Sequence, residues 1–269
     1  MLKRFKSVFS IILCLVFAAL VFSSCSAPER TLKVAQLASA GDLLKDYLSF
    51  NNDTSIMVPE PVGSEFFKNS VLVGDSITLK LRSYVTDQRN KGVKCLENAK
   101  FLCSGNMSYY NAGLEKGVKD SVLPSINGDD VYIEDGLKEY GAEKVFIMLG
   151  MNDFCLFDFD TDIENAVKLI KRIEEKNPGI LIYIQSVTPI LASFEHGKFT
   201  NENVDAFNAR LKEMCEEHGW NYIDISSAFK DSDNCLKEEY CSDQDSSGQG
   251  IHFTEEGCRV WIDTLVSNF

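Results

Sequence analysis

Short, continuous apolar runs alternate with amphipathic segments along most of the chain, and this alternation limits the fold more than any other feature. Apolar runs without polar interruption are typical of parallel strands that helices cover on both faces. The pattern therefore predicts an α/β fold, a three-layer α/β/α sandwich with a five-stranded parallel sheet. Strands are predicted at residues 71–74, 101–103, 144–150, 180–187 and 222–225, and helices at 77–84, 109–114, 162–176, 201–218 and 254–267.

The N-terminus has the features of an export signal. Three basic residues precede a long apolar run, and small residues follow it. The end of this segment resembles a bacterial lipobox, which predicts a signal peptide at residues 1–24 and lipidation of Cys25. An exported membrane lipoprotein that faces outside is therefore expected, whereas a plain secretory signal and an uncleaved anchor helix are the alternatives. The remaining chain divides into a linker with one helix, 34–48, at residues 25–61 and a folded domain at 62–269.

The chain is strongly acidic, with a formal net charge of −13. Removal of residues 1–24 takes away three positive charges and leaves a net charge of −16. A protein with a field of this sign repels phosphate, so nucleic acid is not expected as a partner. Contact with a membrane is expected only through the N-terminal lipid anchor.

Seven of the nine cysteines lie beyond the proposed processing site. None of them forms a Cys-x-x-Cys pair, so the sequence predicts no zinc or other metal site. Cys235 and Cys241 are close enough in sequence to close a small loop outside the cytosol. Buried reduced thiols fit the same pattern, and the sequence leaves both alternatives open.

One strand-to-helix junction carries the first chemical signal. Residues 71–77, with the sequence VLVGDSI, read as a buried strand, a tight turn and the start of a helix. Ser76 lies at this turn, where its hydroxyl is lifted out of the sheet. The first N–H groups of the helix lack intrahelical partners and can bind a developing oxyanion. Ser76 is thus a candidate nucleophile, and a simple helix cap is the structural alternative.

Two further polar loops end at the same predicted edge of the sheet, where ligands of open parallel sheets bind. They are residues 104–106 (SGN) and 150–153 (GMND), whose composition also suits ordinary turns. His252 lies in a loop just before the last predicted helix and is the candidate base. The other histidines have simpler explanations, because His218 ends a helix and His196 lies in a polar loop. The chain order serine then histidine fits several serine hydrolases.

With these motifs in view, the chain resembles the SGNH (GDSL-type) hydrolases over residues 71–261. The Gly-Asp-Ser and Gly-x-Asn-Asp motifs together are specific for that family, which has a flavodoxin-like fold and needs no cofactor. The resemblance implies that Ser76 is the nucleophile and His252 the general base. It also implies an oxyanion hole formed by the Ser76 and Gly105 N–H groups and the Asn152 side chain.

The family pattern is broken at one position. It commonly places an aspartate three residues before the histidine, and this chain has Gln249 there. A carboxylate orients the imidazole and stabilises its protonated form, whereas an amide oxygen can only orient it. We expect Gln249 or a backbone carbonyl to orient His252, rather than the upstream Asp243 or Asp245.

The predicted function is that of an anchored serine esterase that removes small O-acyl groups, with an acylated glycan or cell-envelope ester as substrate. An O-acyltransferase that uses the same site is one alternative, and a non-catalytic glycan-binding lipoprotein is another. The oligomeric state is not predicted. Further residues expected at the site are the supporting groups Asp75, Asp153 and Gln249 and the substrate contacts Tyr109, Tyr110 and Met151.

Overall fold

A computed structural model describes residues 64–245 and 247–269. Five parallel strands form one sheet, and they are β1 (Ser70–Gly74), β2 (Lys100–Cys103), β5 (Lys144–Met148), β6 (Leu181–Gln185) and β7 (Asn221–Ile223). Their order across the sheet is β2-β1-β5-β6-β7. The predicted signal peptide, the lipidation site Cys25 and the predicted helix at 34–48 lie outside the described residues.

Helices cover both faces of the sheet, which confirms the predicted α/β/α sandwich. Their bounds are α1 (Ser76–Asn90), α2 (Tyr109–Ala112), α3 (Ile133–Glu139), α4 (Phe159–Lys176), α5 (Asn201–His218) and α6 (Glu255–Val266). One face carries α1 and α6, which contact each other, and the other carries α4 with α2, α3 and α5 packed against it. None of the helices in the described part of the chain is long and apolar enough to cross a membrane.

The predicted bounds differ from the observed ones mainly at the ends of elements. The strands predicted at 144–150 and 180–187 end earlier, at Met148 and Gln185, because the residues that follow form loops at the carboxyl edge of the sheet. Helix α4 begins three residues before its predicted start, since the Asp158 side chain caps it by accepting the Thr161 N–H.

The segment between α2 and β5 contains structure that the sequence patterns do not predict. It holds helix α3 and a two-stranded antiparallel hairpin, β3 (Ser125–Ile126) with β4 (Asp129–Asp130). The hairpin turns at Asn127 and Gly128, both with positive φ. Strands of two residues carry no readable periodicity, so this hairpin is visible only in the structure.

The junction between β1 and α1 depends on a glycine. A Cβ atom on Gly74 would lie 2.0 Å from the Thr78 hydroxyl and 2.7 Å from the Met148 carbonyl oxygen. The missing side chain therefore allows α1 to turn back closely against β1 and β5. Ser76 consequently begins α1 at the carboxyl edge of the sheet.

An aromatic cluster joins the first described residues to the end of the chain. The ring of Phe269 stacks on that of Phe66, with centroids 3.8 Å apart and planes 8° from parallel. Both rings pack on Phe146 and Tyr183, in the adjacent inner strands β5 and β6. The amine of Lys144, the first residue of β5, lies over the Phe66 ring. The cluster therefore lies toward the amino ends of the strands, away from Ser76.

Candidate active site

Ser76 and His252 are in direct contact, although 176 positions separate them in the sequence. The Ser76 Oγ lies 2.8 Å from His252 Nε2. Ser76 is half-buried at the start of α1, where Asp75 caps the helix by accepting the Ile77 N–H at 2.9 Å. A hydroxyl hydrogen-bonded to an imidazole is the arrangement that activates a serine.

The other imidazole nitrogen is held by Asp243. His252 Nδ1 lies 2.7 Å from Asp243 Oδ2, which makes a continuous chain from carboxylate to imidazole to hydroxyl. The prediction that Gln249 or a backbone carbonyl orients His252 is therefore wrong. The Gln249 side chain is exposed, and it is its backbone N–H that donates to Asp243 Oδ2, at 3.0 Å.

The loop reaches this geometry by curling tightly between Asp243 and His252. The Gly250 N–H donates to the Asp243 carbonyl oxygen at 3.3 Å, and the Gly248 N–H donates to that of Asp245 at 2.9 Å. The Asp245 carboxylate is occupied within its own turn, where it accepts from the backbone and hydroxyl of Ser247. Of the two upstream aspartates, only Asp243 contacts the imidazole.

Five hydrogen bonds converge on the Asp243 carboxylate. Its Oδ1 accepts the N–H groups of Ile251 and His252 and the thiol of Cys241, and its Oδ2 accepts Gln249 N–H and His252 Nδ1. Burial alone would raise the pKa of this carboxyl, but the hydrogen bonds hold it below its usual value. Asp243 therefore stays ionised at neutral pH beside the imidazole.

Gly250 fixes the approach of this loop to the neighbouring Ala192–Phe199 segment. Its φ of +67° is in the left-handed region, and a Cβ atom there would lie 2.6 Å from the Phe194 ring. Both conformation and space therefore demand glycine two residues before His252. The Gly250 carbonyl oxygen also accepts the Leu191 N–H at 2.9 Å, so the turn before the imidazole is tied to the neighbouring chain as well as to Asp243.

Asn152 lies between two acceptors close to the nucleophile. Its Nδ2 donates to Asp75 Oδ2 and to the Met107 carbonyl oxygen, each at 3.1 Å. Its amide therefore faces the residue that precedes Ser76, as an oxyanion donor requires. Both N–H bonds are engaged, so donation to an oxyanion requires one of them to be shared or redirected. The role of Asn152 in an oxyanion hole stays a prediction.

Asp153 ties the loop that carries Gly105 to the same edge. Its two carboxylate oxygens accept the backbone N–H groups of Tyr109 and Tyr110, at 3.0 and 3.1 Å. Gly105 itself lies half-buried after β2, where a Cβ atom would meet nothing within 4 Å. The loop is therefore open to solvent at Gly105 and anchored four residues later, and the oxyanion role of Gly105 stays a prediction.

The two aspartates of the motifs are almost completely buried. Burial raises the pKa of Asp75 to about 7, against the hydrogen bond from Ile77, and the nearby Asp153 raises it further. Burial also raises the pKa of Asp153 to about 6, against the hydrogen bonds from Tyr110 and Tyr109. These carboxyls support the site through hydrogen bonds from within the protein, without exposure to substrate.

The predicted substrate contacts separate into two groups. Tyr109 is 1% exposed, and its ring belongs to the hydrophobic core, so the prediction that it contacts substrate is wrong. Its position as the first residue of α2 turns the side chain inward. Met151 is also nearly buried, at 5% exposed. Tyr110 is half-buried and packs edge-to-face on Phe157, with ring centroids 5.0 Å apart, so it remains a candidate.

The other cysteines and acidic residues of the described part of the chain form no second centre. In the described residues, no group of histidine, cysteine and acidic side chains is arranged to hold a metal ion. All seven described cysteines are free thiols, including Cys235 and Cys241, and six of them are buried. The small disulfide that the sequence left open is not formed.

Sequence reasoning does not identify the Met107 carbonyl oxygen, and it ranks Asp243 below Gln249 as the partner of His252. A main-chain acceptor leaves no trace in side-chain identity, so Met107 could not have been found. For Asp243, the available signal was a carboxylate in a loop rich in glycine and serine just upstream of His252. Its separation of nine residues matches no regular turn, which is why Asp245 was an equal candidate.

Comparison with known proteins gives a family and a fold. Residues 72–260 match the GDSL-like lipase/acylhydrolase family. Comparison with curated protein sequences gives no significant match. Among solved structures, a candidate acylhydrolase from Bacteroides fragilis is 18% identical, with a TM-score of 0.54 over 84% of this chain and 94% of that one.

Two esterases have the same fold at lower identity. An acetyl xylan esterase is 15% identical, with a TM-score of 0.51 over 74% of this chain and 98% of that one. A carbohydrate esterase family 3 protein from Talaromyces cellulolyticus is 13% identical, with a TM-score of 0.50 over 74% and 95%. The family match spans most of the chain and includes Ser76, Asn152 and His252. The chain therefore belongs to the GDSL-like lipase/acylhydrolase family and is an enzyme that hydrolyses carboxylic esters.

Proposed function

We propose that the protein is a serine esterase that removes small O-acyl groups from carbohydrate or cell-envelope esters through an acyl-enzyme on Ser76. The observation that carries this proposal is the unbroken chain of hydrogen bonds from Asp243 through His252 to Ser76, with links of 2.7 and 2.8 Å. Hydroxyl, imidazole and carboxylate in this order form the geometry of a serine nucleophile with its base and orienting acid.

In the first half of the reaction, Ser76 Oγ attacks the ester carbonyl carbon while His252 Nε2 takes the hydroxyl proton. Asp243 stabilises the resulting imidazolium through Nδ1. The oxyanion is bound by the N–H groups of Ser76 and Gly105 and by the Asn152 amide. His252 then gives its proton to the alcohol oxygen as the carbon–oxygen bond breaks, and the acyl group remains on Ser76.

In the second half, His252 Nε2 takes a proton from water as the water oxygen attacks the acyl carbon. His252 then gives this proton to Ser76 Oγ as the bond between the acyl carbon and Oγ breaks, which releases the carboxylic acid and restores the free serine. To bind the oxyanion, the Asn152 amide must share or redirect one of the two N–H bonds that it donates to Asp75 and Met107. The buried Asp75 is partly neutral near pH 7, because burial raises its pKa to about 7. A neutral Asp75 holds the amide less strongly than a carboxylate does, which favours donation to substrate.

Two observations support the substrate class. The Tyr110 backbone donates to Asp153, next to Asn152, and the half-buried Tyr110 ring packs on Phe157, so the pair offers aromatic surface of the kind on which sugar rings pack. The acetyl xylan esterase that shares this fold acts, by its description, on an acetylated polysaccharide. We therefore place acetylated glycans first among the substrates to be tried.

The proposal is tested by acetate release from acetylated xylan oligosaccharides and from p-nitrophenyl acetate. Ser76→Ala should lower kcat by more than about 10³-fold, because nucleophile and base act as one unit. Ser83→Ala is the matched control, since Ser83 is an exposed serine on the same helix. A fluorophosphonate probe should label the wild type and Ser83→Ala but not Ser76→Ala.

Two results would contradict the proposal. Near-full turnover by Ser76→Ala would show that Ser76 is not the nucleophile. Labelling by the probe without turnover of any acylated glycan would show that the proposed substrate class is wrong. Transfer of the acyl group to added sugar instead of water would indicate the acyltransferase alternative.

We also propose that the enzyme is held at the outer face of the membrane through a lipid on Cys25. The basis is the lipobox-like sequence that ends at Cys25. Wild-type protein should partition into detergent with the membrane, and Cys25→Ala should be released or remain as an unprocessed precursor. Cys14→Ala, a cysteine change inside the predicted signal, should leave the protein membrane-bound. A soluble wild type whose N-terminus lies beyond Cys25 would contradict the anchor.

A further inference from the structure

The thiol of Cys241 faces the carboxylate of the proposed triad. Cys241 Sγ lies 3.2 Å from Asp243 Oδ1, within hydrogen-bond distance for sulfur. Cys241 is only 3% exposed, so water does not compete for this contact. The Cys241 backbone is also held in place, because it forms an isolated antiparallel bridge with Phe253, the residue after His252.

The charges of the two groups determine which of them donates the hydrogen bond between Cys241 and Asp243. Burial raises the pKa of the Cys241 thiol to about 11, and the Asp243 carboxylate beside it also acts to raise it. The thiol therefore keeps its proton at neutral pH and donates to Asp243. This donation lowers the pKa of Asp243, in the same sense as the hydrogen bonds from His252 and Gln249.

We propose that Cys241 is a positioning residue that holds Asp243 and moderates the basicity of His252 through its S–H donation. This inference rests on the proposed function, because it assigns the Asp243–His252 pair to the reaction. Each donor on a carboxylate withdraws part of the negative charge that stabilises the imidazolium. Removal of the thiol should leave more charge facing Nδ1, so His252 should bind its proton more tightly.

Two further polar groups among the described residues lie beside the Asp243–His252 pair. From α1, the Ser76 hydroxyl faces Nε2, and from the same loop Asp245 interacts with Asp243 across the turn. Asp245 is exposed and solvated, and it keeps its own Ser247 contacts whether or not Cys241 is present. Among the residues that the structure describes, the Cys241 thiol is the titratable donor in direct contact with Asp243 besides His252 itself.

The test compares Cys241→Ala, Cys241→Ser and wild type by two measurements. The first is the pH dependence of kcat/KM, and the second is the NMR titration of the His252 imidazole protons in the absence of substrate. In Cys241→Ala, both the acid limb and the imidazole midpoint should move up by about 0.5 pH unit. Cys241→Ser retains a donor at this position and should stay close to wild type.

Cys258→Ala is the matched control, because Cys258 is an equally buried thiol whose electrostatic neighbours are Lys80, Glu255 and Cys95 rather than Asp243. Its His252 midpoint should equal that of wild type. An unchanged or lowered midpoint in Cys241→Ala, or the same shift in Cys258→Ala, would overturn the proposal. Should Cys241→Ala fail to fold, a Cys241→Ser midpoint that moves up by the full amount would overturn it as well.

The two measurements keep this inference separate from the proposed function. The NMR midpoint depends only on the Cys241–Asp243–His252 contacts, so it can shift as expected even if no ester is hydrolysed. If the enzyme hydrolyses esters but its His252 midpoint is the same in wild type and Cys241→Ala, the proposed function stands and the inference about Cys241 is wrong.

Discussion

Asp243 is the residue whose role differs most from that expected from the sequence. In the family pattern the carboxylate lies three residues before the histidine, whereas here it lies nine residues before His252 and still reaches Nδ1 at 2.7 Å. The curled loop allows a carboxylate at this more distant position to reach His252, because its glycines let the backbone fold over the carboxylate. Gln249 contributes to the hydrogen bonds on Asp243 only through its backbone N–H.

Asp243→Asn tests this assignment directly. An asparagine that accepts at Nδ1 cannot stabilise the imidazolium, and one that donates there enforces the wrong tautomer, so kcat should fall by about 10⁴-fold. Asp245→Asn is the matched control in the same loop and should stay within about twofold of wild type in kcat. Circular dichroism checks that both variants fold. Equal losses in the two variants, or none in Asp243→Asn, would show that Asp243 does not orient His252.

Sequence reasoning found the residues that are marked by local motifs and missed the partners that are not. Ser76 and His252 were identified from a strand-to-helix junction and a loop before a helix, and the structure brings them into contact. Tyr109 was misplaced because a residue beside a motif can point either way on the first turn of a helix. The sequence alone does not favour Asp243, because only the loop conformation separates it from Asp245.

At the scale of elements, the predictions succeeded where a segment is long and its ends carry clear signals. Helix α5 was predicted with its observed bounds, because Thr200 caps its start and Gly219, in a left-handed conformation, ends it. The continuous apolar strands of the sheet were equally readable. Helix α3 and the β3–β4 hairpin were missed because they are short, and their packing against the main body rather than their own periodicity defines them.

At the scale of the whole molecule, three buried carboxyls make stability depend on pH. Burial is the main cause that raises the pKa of Asp75 and Asp162 to about 7 and that of Asp153 to about 6, from the ordinary aspartate value of 3.8. The folded protein therefore holds these protons more tightly than the unfolded chain does. The free energy of unfolding should fall as pH rises from about 4 to about 7, and level off above that range.

Asp162 offers the sharpest test, because both of its carboxylate oxygens are buried and lack a hydrogen-bond partner among the described residues. Asp162→Asn removes the charge without breaking a hydrogen bond, so it should raise the free energy of unfolding by about 2 kcal/mol at pH 8. At pH 5 the folded carboxyl is neutral but the unfolded chain is already ionised, so less than half of that stabilisation is expected.

Urea unfolding at pH 5 and pH 8 measures both values. Glu164→Gln, an exposed change on the same helix, is the control and should alter the free energy of unfolding by less than about 0.5 kcal/mol at either pH. A stabilisation by Asp162→Asn that is equal at the two pH values would contradict a cost of ionisation.

The stacking of Phe269 on Phe66 determines how the enzyme can be attached to a solid support. Phe269 packs at the end of the sheet opposite Ser76, and its ring holds the first described turn in place. A bead or sensor surface coupled through a short tag that follows Phe269 would thus meet the side of the folded domain that lies away from Ser76. Immobilised enzyme should present its serine to the bulk solution, where large polymeric esters can reach it without crossing the support.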